Sequence, residues 1–427
     1  MIKYINCNKK SYLNKLKYYL SKRSSVDIKK LKIVDKIIND VKKNGDKALA
    51  KYEKKFTNNS VIKVDNNVVK KLIKTLKPEV KRAIDFSYNR IIKFHSKQKV
   101  SNIIFKDYLK NQIKYKYVPL DSVGIYVPGG NASFPSSVLM NAIPAKIAGV
   151  RRIAMINPAK NGNQSPGVLY AAKKCGIKEI YSIGGAQSIA AIAFGTKKIK
   201  KVDKIIGPGN IYVANAKKKV FGAVGIDMIA GPSEITIVGD RYSNPEWIAA
   251  DLIGQAEHDI DSQCILISKN IKLISRVKKH IIDQLNSLPR KKIAEESLKK
   301  NGLFLYSNSD KKIIETINFI APEHLELNLK NYNKIGKKIK HAGSICLGKY
   351  SAMAITDYNA GSNHILPTNS TAKFSSGLSV YDFYKRISLI NLSKKGIETI
   401  GEQVINLANY EGLVGHARSV EVRIRRK

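Results

Sequence analysis

Three short segments of the sequence decide the fold: VGIYVPGG at 123–130, KEIYSIGG at 178–185 and VDKIIGPGN at 202–210. Each segment is rich in apolar, strand-forming residues and ends in or near glycine, which predicts a buried strand followed by a tight turn. Helical patterns, such as AQSIAAIAF at 186–194, separate them. Strand, glycine turn and helix in succession are typical of a doubly wound α/β sheet, in which ligands bind at the carboxyl ends of the strands.

Helical patterns dominate the first 100 residues, where Val34, Ile37, Ile38 and Val41 fall on one helical face. Further strand and helix units continue to about residue 375. The last fifty residues, from Ser379, are predicted to be mainly helical. We therefore expect two α/β lobes with helical arms at both termini.

Length and composition predict a soluble protein with more than one hydrophobic core. The chain has 427 residues, of which 43% are hydrophobic. No apolar run approaches the ~20 residues that span a bilayer, and the first residues lack the apolar stretch of a secretory signal. The four cysteines form no C-x-x-C pair, which argues against disulfides and a thiolate zinc site. We expect a cytoplasmic protein without a membrane partner.

The formal net charge of +43 could indicate a nucleic-acid partner. The excess of Lys and Arg is concentrated in residues 1–120 and 266–427, away from the glycine-rich segments. These flanks are rich in lysine and lack an arginine stripe interleaved with aromatic residues. We interpret the charge as a solvated basic surface, which predicts no specific nucleic-acid binding but allows weak adsorption to polyanions at low salt.

Gln255 and His258 lie three residues apart on a predicted helix, so both side chains project from one face. Together they could offer an amide oxygen and an imidazole nitrogen to one metal ion. A polar pair at this spacing is more often part of a solvated surface, so other ligands must come from elsewhere in the chain.

Candidate ligands occur in three further segments, each combining a histidine with a carboxylate. The pairs are Glu323 with His324, Asp357 with His364, and Glu411 with His416. Four of the seven histidines thus lie near a carboxylate or amide in segments with little lysine. Two imidazoles, a carboxylate and an amide oxygen suit zinc with an exchangeable position for substrate. Glu323 and His324 could also act as base and proton shuttle, or Glu323 could simply favour a helix N-terminus after proline.

The glycine turns PGG at 128–130, IGGAQ at 183–187 and GPGN at 207–210 could bring backbone amides close to an anionic ligand. Tight turns use glycine in any case. The dinucleotide fingerprint G-x-G-x-x-G is absent, since GPGNIY lacks its third glycine. A nucleotide would therefore bind in a non-standard way.

The chain resembles the histidinol dehydrogenase family from about residue 25 to its end. The resemblance is carried by eight long motifs in the family's order: GIYVPGG, IGGAQSIAAIAFGT, DKIIGPGNIYV, IDMIAGPSE, QAEHDIDSQ, PEHLEL, DYNAGSNHILPT and EGLVGHARSVEVR. It implies two incomplete Rossmann-like lobes, with small terminal domains exchanged between the subunits of a homodimer. On this basis we expect an N-terminal arm over 1–25, a first lobe from 26–125 and 235–377, an NAD-contacting lobe over 126–234, and an exchanged C-terminal arm over 378–427.

The resemblance also implies roles for individual residues. It gives one Zn²⁺ per subunit, with these ligands, the last from the second subunit: Gln255, His258, Asp357 and His416. NAD⁺ contacts would be Tyr126, Gln187 and Asn210. The substrate-contacting set would be Ser233, Gln255, His258, Glu323, His324, Asp357, Glu411 and His416. Glu323 and His324 would be the catalytic pair.

The implied reaction is oxidation of L-histidinol through L-histidinal to L-histidine, with His324 as acid and base and Glu323 activating water. One departure from the family concerns Thr356, which stands where glycine is expected before Asp357. Two rival functions are a zinc hydrolase, which would not need NAD, and a polyanion-binding protein, which would bind nucleic acid in a salt-sensitive way.

Overall fold

The structure is a computed structural model that describes residues 2–21, 28–98, 100–129 and 133–424. Gly130 of the first glycine turn and the last three residues of the basic tail lie outside the described residues. The chain forms two compact units. The first contains the segments up to Gln98 and Asp121–Asp382, and the second contains the segment ending at Leu120 and the segment beginning at Phe383.

The strands in chain order are β1 (Lys3–Asn6), β2 (Ile103–Lys106), β3 (Gln112–Pro119), β4 (Ser122–Tyr126), β5 (Arg152–Ile156), β6 (Glu179–Tyr181), β7 (Lys204–Ile206), β8 (Gly225–Ile226), β9 (Glu234–Gly239), β10 (Gln263–Ser268), β11 (Leu303–Tyr306), β12 (His324–Asn328), β13 (Ser344–Leu347) and β14 (Tyr384–Asn391).

The helices are α1 (Tyr12–Ser21), α2 (Ile28–Thr57), α3 (Asn66–Lys74), α4 (Pro78–His95), α5 (Pro135–Ala148), α6 (Pro166–Lys174), α7 (Gly185–Phe194), α8 (Ile211–Val220), α9 (Pro245–Ala256), α10 (Ile271–Leu285), α11 (Lys291–Asn301), α12 (Asp310–Ile320), α13 (Tyr332–Gly336), α14 (Met353–Tyr358), α15 (Lys394–Tyr410) and α16 (Val414–Ile424). Within the described ranges, every helix is too short or too polar to cross a bilayer.

The first unit contains two parallel sheets with the same internal order. One has the order β6-β5-β4-β7-β8, and the other has the order β11-β10-β9-β12-β13 with β1 added at its β11 edge. Counted from β4 or from β9, both follow the sequence 3-2-1-4-5, which is the Rossmann order without its sixth strand. The predicted fold of two incomplete Rossmann-like lobes is confirmed.

The apolar patterns of the sequence account for the cores of both sheets. The strands β9 and β10 are buried along their whole length, as expected for a parallel sheet covered on both faces. Val34, Ile37, Ile38 and Val41 of α2 are buried in one core cluster with residues of α7 and α8. The amphipathic face predicted for this helix therefore packs against α7 and α8, in the core of the five-stranded sheet.

Some strands were not expected from the sequence. β1 lies in a region predicted to be helical, and it pairs in parallel with β11, about 300 residues away. In the second unit, β14 pairs antiparallel with β3, which also pairs with β2, and α15 and α16 follow β14. Such edge and long-range pairings depend on distant partners, which local apolar periodicity does not reveal.

Candidate active site

The centre of the candidate site is Glu323 and His324, at the amino end of β12. Glu323 precedes the strand and His324 is its first residue. Their side chains are almost fully buried, with 7% and 3% of their surface exposed. β12 lies between β9 and β13, and the strand order reverses between β9 and β12. Ligands in such sheets were expected at the carboxyl ends of strands. That expectation concerned the strands that end in glycine turns; Glu323 and His324 instead lie at the amino end of their strand, before the apolar part of β12.

Hydrogen bonds fix the two side chains in different ways. The backbone N–H of Glu234, the first residue of β9, donates to Oε2 of Glu323 at 2.8 Å. Oε1 of Glu323 lies 3.9 Å from Nε2 of His324, and Oδ1 of Asp357 lies 3.7 Å from the same nitrogen. A carboxyl group, an imidazole and a second carboxyl group therefore meet in one small volume.

Asp357 is brought to this volume by the short helix α14. Its backbone carbonyl lies 2.9 Å from Nδ1 of His364, a residue to which the resemblance gave no role. Thr356, the departure from the family pattern, donates a hydrogen bond to the carbonyl of Met353 at 2.7 Å. The α14 segment thus accommodates the threonine hydroxyl with a hydrogen bond inside the helix.

Burial disfavours the charged form of each group in the cluster. It raises the pKa of Glu323 well above its usual range, with the nearby charges of Glu234 and Asp357 adding to the effect. It raises the pKa of Asp357 to about 7. It lowers the pKa of His324 to about 3, and charge repulsion from the nearby imidazoles of His364 and His258 adds to this effect. The His324 imidazole is therefore neutral at neutral pH, so a ring nitrogen is free to take a proton from a reacting group.

Gln255 and His258 lie at the end of α9 nearest this cluster. Gln255 is in the last turn of the helix and is 1% exposed. His258 lies two residues beyond the helix end, in a turn closed by a bond from its own N–H to the Gln255 carbonyl at 3.3 Å. The prediction that both residues share a helix is wrong for His258, because the helix ends at Ala256. His258 is solvent-exposed in the single chain.

The polar atoms of these residues suit a metal ion. Oε1 of Gln255, Oδ1 of Asp357 and Nδ1 of His324 are buried and have no hydrogen-bond partner within the described residues. Buried polar atoms without a partner are rare and call for a ligand, water or ion. The described part of the chain contains no group of three or more His, Cys, Asp or Glu arranged for a metal. Gln255, His258 and Asp357 therefore offer at most part of a coordination shell, with amide, imidazole and carboxylate donors.

The remaining predicted substrate and metal residues are distributed over both units. Ser233 directly precedes β9, and its carbonyl accepts from the N–H of Gln263 at 2.9 Å. In the second unit, Glu411 is the C-cap directly after α15, His416 lies on α16, and both are exposed. The structure brings buried Glu323, His324 and Gln255 and half-buried Asp357 to one end of the six-stranded sheet.

The residues predicted to contact NAD lie at the carboxyl ends of the five-stranded sheet. Tyr126 ends β4, and its hydroxyl accepts from the N–H of Gly185 at 3.3 Å. Gln187 lies in the first turn of α7 and is 1% exposed. Asn210 is the N-cap of α8, with its side-chain oxygen accepting from the N–H groups of Tyr212 and Val213 at 3.1 and 3.2 Å.

Two buried groups that sequence reasoning missed hold these turns. Glu53 of α2 accepts hydrogen bonds from the N–H of Gly184 and from the Gln187 amide, each at 2.9 Å. In the third turn, Asp227 accepts from the N–H of Gly207 at 2.8 Å and forms a buried ion pair with Lys217. A lysine-rich sequence gave no signal that these charged residues would be internal.

Two parallel sheets of Rossmann order, glycine turns at the strand ends and a buried carboxyl and imidazole cluster define the class of protein. It is an α/β enzyme with the features of a nucleotide-dependent dehydrogenase.

Comparisons with known proteins identify the family. A sequence model described as histidinol dehydrogenase matches residues 21–424. Histidinol dehydrogenase from Pelagibacter ubique (strain HTCC1062) is 64% identical over 100% of both chains. The enzyme from Bacillus subtilis (strain 168) is 46% identical over 95% of this chain and 97% of its own. The crystal structure of histidinol dehydrogenase from Elizabethkingia anophelis covers 99% of this chain and 98% of its own, at 37% identity and a TM-score of 0.92. The chain belongs to the histidinol dehydrogenase family, whose members are NAD-dependent oxidoreductases.

Proposed function

We propose that the protein oxidises L-histidinol through L-histidinal to L-histidine in histidine biosynthesis, consuming two NAD⁺. The observation that carries this proposal is the buried cluster of Glu323, His324 and Asp357 in a chain of this family. Each oxidation removes one hydride, and the second oxidation also incorporates the oxygen of one water molecule. The product is therefore a carboxylate, two NADH and the protons released.

Gln255, His258, Asp357 and the second subunit's copy of His416 would hold one zinc ion per subunit. The unpartnered oxygens of Gln255 and Asp357 support this assignment, because a cation would satisfy both. Zinc supplies a Lewis acid that orients an imidazole-bearing alcohol, without redox chemistry of its own. Exposure of His258 in the single chain leaves space for a ligand from another subunit.

His324 is the proposed acid and base of both oxidations. Its buried imidazole stays neutral, so Nε2 is able to accept the hydroxyl proton as a hydride leaves the carbon. Glu323 lies 3.9 Å from that nitrogen and, in its ionised form, is the proposed group that deprotonates the attacking water in the aldehyde step; its raised pKa makes it a stronger base once ionised. The Glu234 N–H fixes the other carboxyl oxygen of Glu323, leaving Oε1 for this purpose.

The surrounding polar residues would orient the substrate. The proposed substrate contacts are Ser233, Gln255, His258, Glu323, His324, Asp357, Glu411 and His416. NAD, the hydride acceptor, would contact Tyr126, Gln187 and Asn210.

A homodimer with shared sites is supported by the surface of the second unit. It exposes a set of large apolar side chains that a second copy would cover: Ile103, Ile104, Phe105, Ile390 and Leu407. The exchanged segment in this proposal is the C-terminal arm over 378–427. Four buried thiols without a disulfide agree with a cytoplasmic location.

A stoichiometry assay on purified, zinc-loaded protein tests the function. We expect one histidine and two NADH for each histidinol consumed, and no turnover without NAD⁺. Histidine formation that does not require NAD⁺, or NADH formation that leaves histidinol unchanged, would contradict the proposal. Substitution of His324 by Asn is the matched control, because it keeps a polar side chain of similar size while removing the proposed base.

A further inference from the structure

A second pair of carboxyl groups, Asp251 and Glu326, lies directly beneath the candidate site and belongs to no predicted site. Asp251 lies one helical turn before Gln255 on α9, and Glu326 lies two residues after His324 on β12. Each spacing keeps the two side chains on one face of their element. One helical turn and two strand residues both advance about 5–7 Å, so this pair forms the layer next to Gln255 and His324.

The two carboxyl groups of this layer contact each other. Glu326 is 3% exposed, and Asp251 is half-buried. Burial raises the pKa of Asp251 to about 6 and the pKa of Glu326 well above its usual range; their mutual hydrogen bond opposes the effect on Asp251 and adds to it on Glu326. Two adjacent buried carboxyl groups do not ionise together. The proton they share therefore stays on Glu326, which donates it to the hydrogen bond with Asp251.

The other oxygen of Glu326 holds the start of α14. Oε1 of Glu326 accepts a hydrogen bond from the backbone N–H of Met353 at 2.6 Å. Met353 is the first residue of α14, and the N-cap residue before it is Ala352, whose methyl group cannot accept a hydrogen bond. Glu326 thus supplies from β12 the acceptor that this helix start needs. Asp357 lies four residues later, one turn along the same short helix.

We infer that Asp251 and Glu326 act together as positioning residues for the proposed zinc site: their hydrogen-bonded carboxyl groups tie the start of α14 to α9 and so set where Asp357 stands relative to Gln255. Neither group needs to touch the metal or the substrate for this role. The inference rests on the proposed function and deepens it, because it names the groups that hold two of the proposed ligands in place.

A glutamine at position 326 would reproduce the protonated form of the glutamic acid. Its amide oxygen can accept from the Met353 N–H, and its amide nitrogen can donate to the Asp251 carboxylate. A methionine fills a similar volume but cannot donate to Asp251 and is only a weak acceptor. Glu326→Gln should therefore keep α14 in position, whereas Glu326→Met should release it.

Competition between the metal-free protein and a chromogenic zinc chelator measures the Kd for zinc without turnover. We expect Glu326→Met and Asp251→Ala each to raise this Kd about tenfold, the lower end of the effect of losing a group that orients a ligand. Glu326→Gln should stay within about twofold of the wild type. The double variant Asp251→Ala/Glu326→Met should bind zinc about as well as the weaker single variant, because either substitution already breaks the tie.

The matched control is Ser268→Ala, which removes a buried hydrogen bond to the Gly239 carbonyl at the other end of the same sheet. It should leave the Kd for zinc unchanged, although it also destabilises the sheet. An unchanged Kd in Glu326→Met, equal effects of the Met and Gln variants, or losses that multiply in the double variant would overturn the inference.

Amide hydrogen exchange at Met353 provides a second test, which does not depend on zinc. In the metal-free protein we expect exchange to be about tenfold faster in Glu326→Met than in the wild type, and nearly unchanged in Glu326→Gln. An unchanged rate in Glu326→Met would contradict the tie. A wild-type protein that binds no zinc would instead contradict the proposed coordination, and the exchange rate of Met353 would still decide whether Glu326 holds α14.

Discussion

The two parallel sheets of the first unit share one strand order, but their candidate site residues lie at opposite ends of the strands. The five-stranded sheet places its glycine turns at the carboxyl ends of β6 and β7, where Glu53, Tyr126 and Gln187 bond to one another or to the turns. The six-stranded sheet places Glu323 and His324 at the amino end of β12. One topology can therefore support two different sites, and the topology alone does not say which end is used.

The two ends also differ in how their buried polar atoms are satisfied. Around the glycine turn of α7, the carboxyl oxygens of Glu53 all have donors. At the six-stranded sheet, Gln255, Asp357 and His324 each keep one buried atom without a partner among the described residues. An unsatisfied buried polar atom costs about 1–3 kcal/mol, so a ligand that bonds to these atoms stabilises the fold as it binds.

The largest expected effect is the loss of zinc binding when a proposed metal ligand at the six-stranded sheet is removed. We expect His258→Ala or Asp357→Ala to weaken zinc binding by at least about 100-fold, because the loss of a direct ligand exceeds the 10- to 100-fold cost of losing a residue that only supports one. Metal content after dialysis against a zinc buffer measures the effect. The control His280→Ala removes a histidine of α10 that belongs to no predicted site, and it should retain zinc. Full zinc content in both ligand variants would exclude the proposed coordination.

The second prediction separates the two oxidations. Glu323→Gln cannot deprotonate water, and we expect it to slow oxidation of added histidinal by about 100-fold, as is typical for loss of a general base. Alcohol oxidation, which depends on His324, should slow much less. Single-turnover measurements of NADH formation from histidinol and from histidinal provide the comparison. Equal slowing of the two half-reactions would contradict the role of Glu323.

The contrast between the sheets also explains which features the sequence could predict. Strands followed by glycine turns depend on local patterns, and the predicted α/β lobes are confirmed. The spacing of Gln255 and His258 predicted one shared helix face, but the helix ends at Ala256 and His258 lies in the turn beyond it. Short-range periodicity therefore identified the elements and the candidate residues within them.

Features that depend on distant partners were not predictable. Glu53 lies between lysines in the sequence, and only the packing of α2 on α7 makes it internal. The same limit applies to the contact between His364 and the Asp357 carbonyl, and to the pairing of β14 with β3. In each case the deciding contact joins two segments, and the sequence pattern of neither segment predicts it.

The third prediction concerns pH. In the metal-free protein, burial lowers the pKa of His324 to about 3, whereas an unfolded histidine titrates near 6.5. Below pH 6.5 the unfolded state binds a proton that the folded state does not, so this group lowers the free energy of unfolding by up to about 1.4 kcal/mol per pH unit down to its folded pKa. Asp357 has the opposite sign, because its pKa is raised to about 7 and the stability it contributes is lost as pH rises through that value.

Because the two effects oppose each other, resonances of the individual side chains give the clearer measurement. With isotope-labelled histidine, the His324 signal of the metal-free protein should not change between pH 8 and pH 5. The His324→Asn variant identifies the signal. A midpoint near 6.5 for His324 would show that the imidazole is not held in its neutral form by burial.

The smallest expected effect is a difference in reactivity between a thiol of the six-stranded sheet and a thiol in the lobe of the five-stranded sheet. Burial raises the pKa of both Cys346 on β13 and Cys175 after α6 to about 12, so both should react slowly with iodoacetamide at pH 8. Cys346 lies near Thr356 and the proposed ligand Asp357. Removing zinc with a chelator should therefore increase local opening at α14 and speed alkylation of Cys346 about threefold, while Cys175 stays unchanged. Mass spectrometry of the two peptides measures both rates in one sample. Equal acceleration at both thiols would show that the metal stabilises the whole unit, and that the two sheets do not differ in their dependence on a ligand.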